Sequence, residues 1–107
     1  MINEVEATFK KISSLLHFSM RSRKAVVGYN SLLVSNTKQI GLILIEEGTS
    51  ESTIKKIVKH FPDAIVKIIP EENGPGKLIG KNGIKILGIK KSEFDKEINK
   101  HLKSLEI

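Results

Sequence analysis

The sequence predicts an α/β protein, a three-layer α/β/α sandwich around a mixed four-stranded sheet, and three observations predict it. Apolar residues recur at helical spacing in three separate stretches, the first near the amino end and the last near the carboxyl end. Between them, Ile40 to Ile45 is apolar without alternation, the pattern of a strand buried on both faces. Helix-like and strand-like segments also alternate along the chain, the order that stacks helices on both faces of a sheet.

Val5, Phe9, Ile12, Leu16 and Met20 follow one another at three or four residues, so an amphipathic helix is expected over residues 4–20. The basic run Arg21-Ser22-Arg23-Lys24 follows, then the apolar pair Val26-Val27, read as a short strand, and Gly28, which suits a turn because it tolerates backbone angles closed to other residues. A short second helix is expected from Tyr29 to Ser35, and Asn36-Thr37-Lys38-Gln39 is the polar connection to the strand Ile40–Ile45, which belongs in the middle of the sheet. Gly48-Thr49-Ser50 supplies a turn and a capping hydroxyl for a helix whose stripe is Ile54, Ile57, Val58 and Phe61, and Pro62 ends it. Ala64–Ile69 reads as the next strand. Pro70–Gly76, with two prolines and two glycines, reads as a loop, and residues 77–80 as one helical turn. Ile84, Ile86, Leu87 and Ile89 form a further strand with Lys85 pointing outward. Ser92 then caps a last helix, with Asp95 in a capping-box position and Phe94, Ile98, Leu102 and Leu105 as its stripe.

The length of 107 residues suits a single domain spanning 1–107. Eighteen Lys plus Arg against twelve Asp plus Glu give a net charge of +6, which favours an anionic partner, nucleic acid first. A lysine surface that only keeps a small protein dissolved is the other meaning of the same number. The chain has no cysteine, which removes disulfides, thiolate nucleophiles and sulfur-ligated zinc, and fits an intracellular protein. Its apolar runs are far shorter than the roughly 20 residues of a membrane helix, and Met1 to Glu6 is acidic where a secretion signal is basic. The expectation is a cytoplasmic protein that contacts no membrane.

His17, His60 and His101 fall on three different predicted helices, and no serine or acid is spaced to complete a triad with any of them. Neither catalysis, a metal, a cofactor nor a small-molecule substrate is expected. The glycine-lysine stretch from Gly74 to Gly83 fails as a phosphate loop, which needs a glycine where Glu71 stands and a hydroxyl where Leu78 follows the lysine. It also misses the dinucleotide fingerprint, because Gly80 comes one residue too late after Gly74 and Gly76. Gly80-Lys81-Asn82-Gly83 is similar to the backbone-clamping loop of KH domains. That loop is followed by a helix, whereas Ile84 to Ile89 favours a strand.

A wider likeness runs from Ile12 to Ile98. Its pieces are Leu15-Leu16 through Arg23-Lys24, then Val27-Gly28-Tyr29-Asn30, then Leu42 to Ser50, then Gly76-Lys77-Leu78-Ile79-Gly80-Lys81 and the strand ending at Ile89. In their order and spacing these resemble the kink-turn-binding ribosomal protein superfamily, the group of L-seven-Ae and L-thirty-e, especially its small bacterial members. The resemblance implies an L-thirty-e-like fold and a noncatalytic RNA-binding protein, with a kinked duplex or ribosomal RNA as ligand and the ribosome as a further partner. It gives Gly28 and Asn30, with Tyr29 and Ser31 beside them, the role of entering the groove at the kink. The loop of Lys81, Asn82, Gly83 and Ile84 would pack on an expelled base, while Lys24, Lys77 and Lys81 would neutralise phosphates. Ser31 stands where the family commonly has glutamate or glutamine, Val34 where it often has lysine or arginine, and the segment before Ile40 is one residue short. These departures are expected to weaken base readout while sparing the fold. They also motivate a second expectation, a protein-interaction module of the same fold that binds no RNA.

Overall fold

In the computed structural model, which describes residues 3–107, nine regular helices and strands follow the predicted order. The acidic amino end begins at Met1 and Ile2, which lie outside the described residues. The elements are α1 (Glu4–Arg21), β1 (Ala25–Val27), α2 (Tyr29–Leu33), β2 (Ile40–Glu46), α3 (Glu51–His60), β3 (Ile65–Ile69), α4 (Pro75–Ile79), β4 (Ile86–Lys90) and α5 (Glu93–Ser104). No helix among them is long and apolar enough to cross a membrane.

The sheet is four-stranded and mixed, in the order β1-β4-β2-β3. Strand β2 pairs in parallel with β3, and β4 runs antiparallel to both β1 and β2. Central position explains composition: β2 and β4 have neighbours on both edges and helices on both faces, so almost every residue in them is buried.

Two apolar clusters lie on opposite faces of the sheet. Phe9, Ile12 and Leu16 of α1 and Ile98 and Leu102 of α5 pack on Leu42, Leu44, Leu87 and Ile89. Leu32 of α2 and Ile57 of α3 pack with Phe61 on Ile40, Ile43 and Ile45. The chain is therefore a three-layer α/β/α sandwich. Strict alternation along β2 would put Ile40 on the same face as Leu42 and Leu44. It lies on the other face because the register against β4 shifts between Ile40 and Leu42, a bulge at Gly41 that adds one residue and turns the strand over.

Helix ends follow the sequence signals. The Ser50 hydroxyl accepts from the Thr53 amide at 3.3 Å at the start of α3. At α5 the Ser92 hydroxyl accepts from the Phe94 amide while Asp95 accepts from the Ser92 amide at 2.7 Å, the reciprocal arrangement of a capping box. Some expectations need correction. Val5 is half exposed and leaves the stripe of α1, whose buried residues are Phe9, Ile12, Leu16 and Ser19. Helix α2 ends at Leu33, with Val34 as its cap. The segment read as a loop over Pro70–Gly76 contains a 3₁₀ turn at Glu71–Asn73 and the start of α4, since proline in the first helical position is favourable and not disruptive. Strand β4 starts at Ile86, two residues later than expected, because Ile84 is turned to hold the preceding loop.

Candidate functional site

Strand β1 delivers the chain to Gly28 at one end of the sheet. There the backbone takes φ 92° and ψ 157°, a region that is essentially closed to residues with a side chain. The Gly28 amide donates to the Ile86 carbonyl at 2.9 Å, so it is occupied by the sheet, and the Gly28 carbonyl accepts from the Leu32 amide at 3.1 Å. Helix α2 thus starts directly on the last strand pair. No side chain caps this start, and the amides of Tyr29, Asn30 and Ser31 precede the first i to i−4 bond of the helix. Leu32 is fully buried and seats α2 against β4 at Gly88, where a Cβ would come within 2.6 Å of the Leu32 Cδ1.

The second predicted segment is fixed to the first through β4. The Gly76 amide donates to the Ile84 carbonyl at 3.0 Å, and the Lys81 amide donates to the Gly76 carbonyl at 2.8 Å. These bonds pin the loop between α4 and β4 onto the start of α4. Helix α4 is in turn tied to α1 by the Ser13 hydroxyl, which donates to the Leu78 carbonyl at 2.6 Å.

As a result Gly28 and Tyr29 face Gly83, Ile84, Lys85 and Ile86 across one cleft of about 250 Å³, closed on its third side by Thr49 and Thr53. Among the described residues Lys85 is the one charged side chain in its lining. Thr49 donates its hydroxyl proton to the Glu46 carbonyl at 2.8 Å, so towards the cleft its oxygen has lone pairs and acts as an acceptor. Tyr29 also borders an adjoining depression of about 470 Å³ with Leu33, Lys56, Lys59 and His60. The aromatic ring thus stands between the cleft and two lysines of α3.

Of the residues singled out from the sequence, Gly28, Tyr29, Gly83 and Ile84 line this cleft. Asn30 and Ser31 are exposed on the first turn of α2, and Lys81 and Asn82 are exposed in the loop just before Gly83. Two lysines are elsewhere. Lys77 borders a depression on the α1 side with Glu6, Phe9, Lys10 and Ser13. Lys24 precedes β1 and its carbonyl accepts from Lys90 at the far end of β4, so it sits at the opposite end of the sheet from Gly28. Sequence reasoning missed Thr49, Thr53, Lys85, Lys56 and Lys59 as neighbours of the site. Thr49 had a signal, its place in the Gly48-Thr49-Ser50 turn; the lysines of α3 had none beyond their charge.

The histidines remain apart. His17 Nδ1 lies 2.8 Å from the Ser13 carbonyl, His60 packs edge-on against Phe61, and His101 lies 3.8 Å from Glu97. Among the described residues no three His, Asp or Glu side chains are grouped to hold a metal ion.

No protein-family model matches the chain, and no curated protein does. Among solved structures, a protein of unknown function from Bacillus halodurans is similar in fold, with a TM-score of 0.72 and 21% identity over 88% of this chain and 98% of that one.

Proposed function

We propose that this is a noncatalytic cytoplasmic RNA-binding protein that recognises a kinked duplex, such as a kink-turn, with the cleft between the Gly28 turn and the Gly83–Ile86 segment. One observation carries the reading: the two segments that the family resemblance pairs, distant in sequence, line a single cleft. The chemistry of the lining suits the edge of a base or an unstacked base. Thr49 offers an acceptor, Ile84 an apolar face, and Asn30 on the adjoining turn both a donor and an acceptor. Lys85 in the cleft, Lys56 and Lys59 in the adjoining depression and exposed Lys81 in the loop before Gly83 would supply phosphate contacts, a role the resemblance had given in part to Lys24 and Lys77.

Titration of the protein with a kinked duplex and a matched straight duplex at several salt concentrations tests this. The kinked RNA is expected to bind more tightly at every salt concentration, and equal affinities overturn the reading. The second reading, a module that binds protein, has its own observation. Val34, the residue that caps α2 one turn after Asn30 and Ser31, is 85% exposed, an apolar side chain in a position where a phosphate contact would want a cation. Capture of a partner by the tagged protein after ribonuclease digestion would favour that module, and loss of all captured partners would favour RNA.

A further inference from the structure

Three stretches far apart in sequence meet at the end of the sheet away from the cleft. The Lys24 carbonyl, just before β1, accepts from the Lys90 amide at 2.7 Å, and the Gln39 carbonyl, just before β2, accepts from the Lys91 amide at 2.7 Å. These two bonds gather Lys24, Lys38, Lys90 and Lys91 around a cleft of about 280 Å³ that Gln39 also lines. Among the described residues no Asp or Glu side chain forms an ion pair with any of these four lysines. The Asp95 carboxylate, beside the Lys91 stem at Gly41, accepts from the Ser92 amide through one oxygen and offsets part of this charge, and Glu93 is exposed on the first turn of α5. Four lysines gathered beside one carboxylate leave a net positive charge, and an anion seated among them lowers their mutual repulsion.

The same end of the molecule holds an arginine where the backbone favours glycine. Helix α1 closes with the Arg23 amide on the Met20 carbonyl and the Lys24 amide on the Ser19 carbonyl, and Arg23 has φ 58° in the position glycine usually occupies in this motif. The chain carries a strained residue there and keeps an exposed cation directly before Lys24.

We propose that the lysine cleft is a second RNA contact, which holds the phosphate backbone of the stem leaving the kink; the proposal rests on the RNA reading of the first cleft. Strand β1 joins the two places and is an edge strand, so nothing of the sheet stands outside it. From Gly28 back to Lys24 is four strand positions, about 13 Å at roughly 3.3 Å per residue. A nucleic-acid duplex presents a charge every ~1.7 Å of its axis, so a stem lying along β1 offers several phosphates to the lysines while its kinked end occupies the first cleft.

The test uses the intact chain, a kinked RNA with a short stem and one with an extended stem, in wild type and in the double variant Lys38→Gln, Lys91→Gln. Extending the stem is expected to steepen the dependence of log K on log salt in wild type. The double variant is expected to lose about 1.8 of that slope and about tenfold in affinity for the long stem at low salt, with the preference for kinked over straight RNA unchanged. Arg23→Gly separates binding from folding: it is expected to raise the thermal midpoint and still lower the slope by about 0.9. An unchanged slope in the double variant with the kink preference intact overturns the second contact alone. Absence of RNA binding by wild type overturns both readings, and lysine-dependent capture that survives ribonuclease overturns this one in favour of an acidic protein partner.

Discussion

At the Gly28 end of the sheet the surface is shaped by the backbone. A glycine in a conformation other residues avoid, an α2 start held by the Ile86 and Leu32 bonds, and a loop pinned on Gly76 define the cleft, and Lys85 alone among its lining residues is charged. At the Lys24 end the surface is shaped by side chains. There the backbone only aligns three segments, and lysines make up the wall. The contrast separates two tasks. A backbone-built cleft is rigid and suits discrimination by shape, whereas mobile ammonium groups suit attraction that depends on charge and falls with salt.

The contrast breaks most readily from the buried side of α2. Leu32→Ala removes the fully buried residue that seats α2 on β4 and is expected to cost about 2 to 5 kcal/mol, read by chemical denaturation, with the first cleft loosened and the lysine cleft intact. An unchanged midpoint would mean that α2 is held by the Gly28 bonds alone. Gly28→Ala places a side chain in the glycine-only region with open space around it, so strain and not collision sets a cost of about 1 to 3 kcal/mol.

Smaller effects sharpen the difference between the two ends. Asn30→Ala, on an exposed position, leaves the unfolding midpoint alone and is expected to reduce the preference for kinked over straight RNA by about 1 to 3 kcal/mol, measured as the ratio of the two affinities. The Lys38→Gln, Lys91→Gln variant is expected to shift stability by no more than about 0.5 kcal/mol, since both side chains are exposed and unpaired by carboxylates. A large destabilisation there would show that the lysines hold the sheet end together.

Much of the scaffold was legible in the sequence because it is written in local patterns. The unbroken apolar run of β2, the stripes of α3 and α5 and the Ser92 to Asp95 cap each depend on residues close together in the chain. The turn at Gly28 was legible for the same reason. The site as a whole was less so. That Lys24 belongs to the far end follows from the antiparallel pairing of β1 with β4, a long-range fact with no local signature. The start of α4 was hidden by Pro75 and the glycines around it, although a helical turn over residues 77–80 was legible, and the inversion of Ile40 was hidden by a bulge that only the register against β4 reveals. Thr53 joins the cleft, and the lysines of α3 the depression next to it, only because α3 packs beside α2 on one face of the sheet.

The central claim, that the Gly28 turn and the Gly83–Ile86 segment act as one RNA site, is tested most directly by following backbone amide signals while a kinked duplex is added. The signals of Tyr29, Asn30, Thr49, Gly83 and Ile84 are expected to shift together and to saturate at the same RNA concentration, while those buried in α5 stay in place. Shifts confined to the segments around Lys24, Lys38 and Lys91, with the Gly28 turn and the Gly83 loop unmoved, would contradict it.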